Sequence, residues 1–152
     1  MALKLKIYLD TSVPNAYIDD GNSARQVATK EFWARLHQYN VFVSDIVIEE
    51  IEATVDENKK KRLLDLTRGF EKLPSKGQEI EALTEEYVIR GIIPLKHIED
   101  AVHIAVATVY SVNVLVSWNF EHIVKLKTKR EVNVVNILSG YSQLEIVEPT
   151  ML

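Results

Sequence analysis

The sequence predicts an α/β sandwich in which helices cover a mostly parallel central sheet. Three observations lead there. Short apolar segments rich in strand formers recur along the chain, longer segments of helical period separate them, and no internal repeat or interdomain linker interrupts the pattern. At 152 residues and 47% hydrophobic content, the chain is expected to fold as one domain, 1–152, with a sizeable core.

Leu5 to Leu9 alternates and reads as the first strand. Asp10 to Ser23, with Pro14, the run Asp19-Asp20-Gly21 and Asn22, reads as a loop, and Ser23 as the cap of a helix reaching about Tyr39. Val41-Phe42-Val43 is a short strand, after which Ser44 caps a helix over Asp45 to Asp56. A lysine-rich helix ends near Gly69, and Gly77 to Arg90 forms another amphipathic one. Ile92-Ile93-Pro94 is an extended connector into a strongly apolar helix opened by Asp100. Val114-Leu115-Val116 is a buried strand leading to Ser117-Trp118-Asn119-Phe120. Val132 to Val135 reads as the last strand, and the tail from Gly140 to Val147 as extended chain.

Composition removes several classes of function. The absence of cysteine excludes disulfides, thiolate metal sites and a cysteine nucleophile. No apolar run is long enough to span a bilayer, and Met1 to Lys6 leads directly into a strand pattern without a signal peptide, which suits a cytoplasmic protein. A net charge of −4 argues against a broadly basic nucleic-acid surface. Two local basic clusters remain, Lys59-Lys60-Lys61-Arg62 and Lys125, Lys127, Lys129 with Arg130; the first reads as a solvated helix face.

In open α/β sheets ligands bind beyond the carboxyl ends of the strands, and Asp10 and Asn119 fall on that rim. Asp100 opens a helix that is apolar around most of its circumference, where a carboxylate is costly without compensation. One turn on, His103 shares its sector, either as a core histidine bonded to backbone or as a group orienting a carboxylate. On the helix after Ser44, Glu49 points away from the apolar stripe, Glu50 lies at its border and can turn into a cleft, and Glu52 is the weaker candidate. Trp118 and Phe120 read as packing residues. The histidines at 37, 97, 103 and 122 show no zinc-ligand spacing, and His122 offers no reading of its own. There is no phosphate-binding glycine loop, nucleophile elbow or HExxH. What remains is a carboxylate set of Asp10, Glu50 and Asp100, joined by Asn119, whose hard oxygens suit Mg²⁺ or Mn²⁺.

Four segments occurring in order over nearly the whole chain resemble the PIN domain family, typified by VapC-like toxins of toxin–antitoxin pairs. They are Ile7-Tyr8-Leu9-Asp10-Thr11-Ser12, Ser44 to Ile51, Asp100 to Ala105, and Leu115 to Phe120. The resemblance implies a three-layer α/β/α sandwich and metal-dependent cleavage of RNA phosphodiester bonds. It implies divalent-metal binding by Asp10, Glu50 and Asp100, with Ser12, Thr11 and His103 in support. It also implies an RNA substrate, a small antitoxin partner and a homodimer. Asn119 departs from the pattern, standing where a fourth acid is common. It keeps a carbonyl ligand but removes a charge worth roughly 4 kcal/mol at 4 Å and an effective dielectric of about 20. That predicts weaker occupancy of a second metal position. Asn119 and the acidic net charge also motivate an RNA-binding or regulatory module with little turnover. A phosphate-accepting signalling domain ranks lower, because Asp10 lacks an adjacent acid and Ser117-Trp118-Asn119 supplies no lysine.

Overall fold

The computed structural model describes residues 3–152; Met1 and Ala2, with which the expectation about a signal peptide begins, lie outside the described residues. The strands are β1 (Lys6–Leu9), β2 (Asn40–Ser44), β3 (Glu71–Leu73), β4 (Val114–Val116) and β5 (Glu145–Val147). They form one sheet in the order β3-β2-β1-β4-β5, with every pairing parallel. Ile7 stands in register with Val41 on one side and Val114 on the other. Ile7, Tyr8 and Leu9 are all fully buried, so both faces of β1 are covered and the apparent alternation of Leu5 to Leu9 does not divide core from solvent. The chain order reverses at β1, between β2 and β4, which creates the crevice expected of such sheets.

Seven helices connect and cover the strands: α1 (Ser12–Ile18), α2 (Ser23–Ala34), α3 (Asp45–Glu52), α4 (Glu57–Thr67), α5 (Gln78–Ile89), α6 (Ile98–Val109) and α7 (Leu126–Leu138). They pack in two groups. α1 lies on α2 and α4, with α3 on α4, while α5 lies on α6 and α7. The second group is joined by a buried polar knot in which Tyr87 Oη donates to Asn136 Oδ1 and Asn136 Nδ2 donates to Thr108 Oγ1 at 3.1 Å. No helix among the described residues is long and apolar enough to cross a membrane.

Several elements differ from the expectation, each for a local reason. The segment after Asp10 is not a loop but holds α1, because Pro14 falls in its first turn, where a missing N–H removes no intrahelical bond. Asn22, not Ser23, caps α2: its Oδ1 accepts from Arg25 N at 3.1 Å. α2 stops at Ala34, and a 3-10 turn over Leu36–Gln38 carries the chain into β2. Ser44 precedes α3, but its hydroxyl does not cap it and bonds instead to Tyr8 Oη at 2.6 Å. α3 ends at Glu52, short of Asp56, which caps α4 through bonds from Asn58 N and Lys59 N at 2.9 and 3.2 Å. Asp100 lies in the first turn of α6 but does not open it.

The largest correction concerns Val132 to Val135, which is helical rather than a strand. Thr128, Val132, Val135 and Asn136 are buried at spacings of a helix face, while Val134 is 55% exposed. Tertiary burial at helical period overrides the strand preference of the valines. Asn133 then fastens the following tail, donating to Leu144 O at 2.9 Å and accepting from Leu144 N at 2.7 Å, just before β5.

Candidate active site

The carboxyl end of β1 delivers Asp10 among buried and half-buried serine side chains. The carboxylate is 4% exposed. Its Oδ1 accepts from Ser12 N at 3.1 Å and from Ser12 Oγ at 2.5 Å; its Oδ2 accepts from Ser117 Oγ at 2.5 Å. Those serines are held in turn, since Ser12 Oγ accepts from Trp118 N at 2.8 Å and Ser117 Oγ from Asn119 N at 2.9 Å. The starts of α1 and of the post-β4 loop are thereby locked onto one acid. Burial still pushes the Asp10 carboxyl upward, against the His103 charge and the two serine hydroxyls, and the nearby Asp100 adds to the rise.

His103 is the hub. It is 2% exposed, and its Nε2 lies 2.7 Å from Glu50 Oε1 while its Nδ1 lies 2.7 Å from Tyr8 Oη. Burial alone would hold the imidazole neutral. The bond to Glu50 and the charges of Asp10, Glu50 and Asp100 outweigh burial, and the net shift is upward. When both ring nitrogens carry protons, His103 donates to Glu50 and to Tyr8, and the Tyr8 hydroxyl proton is then free for Ser44 Oγ. Burial tends to raise Glu50, but the bonds from His103 and Thr11 prevail and its carboxyl is held low. Thr11 Oγ1 donates to Glu50 Oε1 at 2.8 Å, so both contacts fall on one oxygen and Oε2 carries neither. Asp10, Glu50 and Asp100 therefore surround one imidazole, and Thr11 and Ser12 each hold one of the acids.

Asp100 is half-buried, on the wall of a cleft of about 490 Å³ that Ser12, Arg25, His97, Asn119 and His122 also line. Burial raises its carboxyl, opposed by His103, by a hydrogen bond from Asn119, and by His122 and His97. Asn119 Oδ1 accepts from His122 N at 3.0 Å. The carbonyl expected to face a cation thus also closes the loop after β4. Glu49 and Glu52 are exposed on α3 and stand apart from the site.

Two features of the cleft have little signature in the sequence. Arg25 approaches from α2, its guanidinium carbon 5.0 Å from the Trp118 ring centroid and 5.8 Å from that of Phe120. Trp118 is buried and donates to Thr29 Oγ1 at 2.9 Å, as a packing residue should, whereas Phe120 is 47% exposed. His97 and His122 flank Asp100, and the three offer ligand atoms that all lie within 4.8 Å of one another. Among the described residues, no other group of three histidines or acids is gathered so closely.

The PIN domain family model matches residues 7–125. Among solved structures, the chain is similar to the Mycobacterium tuberculosis toxin VapC20, described as cleaving the sarcin-ricin loop. The TM-score is 0.61 at 16% identity, over 91% of this chain and 98% of that one. It is also similar to VapBC2 from Rickettsia felis, solved bound to a DNA fragment from its promoter. There the TM-score is 0.56 at 14% identity, over 93% and 98% of the two chains. No curated protein matches the sequence significantly.

Proposed function

Because the chain belongs to the PIN domain family, we propose that it is a metal-dependent endoribonuclease, the toxin of a toxin–antitoxin pair. The observation that carries the reading is the gathering of Asp10, Glu50 and Asp100 around His103 at the switch point of the sheet. The oxygen chemistry of the donor set suits a divalent cation. The three carboxylates do not offer ligand atoms within 4.8 Å of one another and must turn toward the ion to share it. Asp10 and Asp100 are both raised by burial and Asp10 also by Asp100, a repulsion that a cation such as Mg²⁺ or Mn²⁺ relieves. Asp10 and Asp100, with Glu50 through Oε2, would hold that ion, with Asn119 offering the remaining lone pair of an Oδ1 that already accepts from His122 N. The Lewis acidity for phosphodiester hydrolysis would come from the bound cation.

The chain's own residues do the positioning. Ser12 and Ser117 fix the Asp10 carboxylate, and His103 fixes Glu50 with a proton that it shares with no other acid. Arg25, over Trp118 and Phe120, presents cationic charge to an RNA phosphate at the cleft, with Phe120 as a surface for a base. Lys125 precedes α7, and Lys127 and Lys129 lie in its first two turns, whereas Lys59, Lys61 and Arg62 are exposed on α4. Cytoplasmic residence, a homodimer and a small antitoxin covering the acidic cleft complete the proposal. The engagement of Asn119 also favours a second reading, an RNA-binding module with slow turnover.

Purified protein should cleave single-stranded or structured RNA with Mg²⁺ or Mn²⁺, and Asp100→Asn should abolish cleavage. Equal cleavage by wild type, by the variant and in excess chelator would refute the nuclease. RNA binding without metal-dependent cleavage would favour the second reading.

A further inference from the structure

His97 closes the 3-10 turn before α6, Asp100 stands one turn later, and His122 lies in the loop after β4. The two imidazole rings face each other with centroids 4.2 Å apart and planes 32° from parallel. Asp100 completes a triangle of ligand atoms no more than 4.8 Å across. Tetrahedral ligands about 2.0–2.2 Å from a common centre stand about 3.3–3.6 Å apart, so the three side chains must draw together by about 1 Å to share an ion.

His122 supplies a second and independent observation. Its Nε2 is buried yet has no hydrogen-bond partner. The nearest carboxylate oxygen, of Glu121, is 3.6 Å away on a side chain that is 83% exposed. A buried imidazole nitrogen without a partner is costly unless something else meets it. The backbone N–H of the same residue is satisfied by Asn119, so the loop is built to hold this ring in place.

We propose that His97, Asp100 and His122 form a binding site for a divalent first-row transition-metal ion. Two imidazoles and one carboxylate suit Zn²⁺, Co²⁺ or Ni²⁺, whereas Mg²⁺ prefers oxygen ligands and water. The site differs in chemistry from the oxygen set of Asp10 and Glu50 but meets it at Asp100. Nitrogen ligands thus stand beside Asn119, where a fourth acid would otherwise hold a second ion. The ion-binding claim stands without the nuclease reading, which enters only by making Asp100 common to both.

The test is titration of tag-free, metal-stripped full-length protein with Co²⁺, followed by visible absorption and calorimetry, with Zn²⁺ as competitor. Wild type should take up one Co²⁺ per chain with the ligand-field bands of nitrogen coordination, and Zn²⁺ should displace it. His97→Ala and His122→Gln should each weaken binding by at least about tenfold, since removing even an outer partner of a ligand costs that much. Circular dichroism of each variant confirms that it is folded. No Co²⁺ uptake by wild type, or uptake undiminished in the folded double variant, would overturn the site. RNA cleavage with Mg²⁺ is scored separately: Co²⁺ binding without any cleavage defeats the nuclease reading and leaves this site standing.

Discussion

Replacing His103 with leucine removes the hub of the acidic pocket at nearly constant volume. Two bonds of 2.7 Å disappear, to Glu50 Oε1 and to Tyr8 Oη. A charge-assisted bond contributes about 1.5–3 kcal/mol and a neutral one about 0.5–1.5 kcal/mol. The Glu50 side chain is 37% exposed and can rehydrate, so its share falls to about 1–2 kcal/mol. Tyr8 keeps Ser44 as a partner at 2.6 Å, so its loss stays at the low end. His103→Leu should therefore destabilise the protein by about 1.5–2.5 kcal/mol. The assay is urea unfolding in excess chelator, followed by fluorescence of Trp33 and Trp118. A double-mutant cycle with Glu50→Gln isolates the pair and should return a coupling of about 1–2 kcal/mol. A coupling below about 0.5 kcal/mol would show that Glu50 and His103 do not form the ion pair on which the pocket is built.

Asn119→Asp would set a carboxylate against Asp100 while preserving an acceptor for His122 N. It should lower stability in chelator by about 1–2 kcal/mol and raise Mg²⁺ affinity, read as a larger thermal shift on adding Mg²⁺; an unchanged shift would count against an ion beside Asp100. The period of α7 is testable by placing lysine at neighbouring positions. Val134→Lys should change stability by no more than about 0.5 kcal/mol and Val135→Lys should cost about 3 kcal/mol or more by denaturant unfolding, whereas equal costs would deny the helical face.

The parallel sheet and its rim were legible because apolar runs such as Val114 to Val116 and the acid after Leu9 are local patterns. The same logic located Asp100, since a carboxylate within an apolar helix is conspicuous without any partner in view. Val132 to Val135 misled for the converse reason: local strand preference was visible, but the burial of Thr128 and Asn136 that selects a helix was not. Pro14 likewise marked a break in the sequence, although it sits harmlessly in the first turn of α1.

Sequence by itself determined which residue types are available for chemistry and the order in which strands and helices present them. Tertiary structure alone decided how they are paired. His103 could have been a core residue bonded to backbone; its bonds to Tyr8 and Glu50 cross 95 and 53 residues of chain. Asn119, expected as an oxygen ligand, also uses that oxygen to accept from His122 N and so holds the loop after β4. His97 and His122 have no readable spacing, yet the loop brings their rings to 4.2 Å. Residue type and periodicity are local properties, whereas hydrogen bonding and ion coordination depend on distances that the packed sheet and helices set.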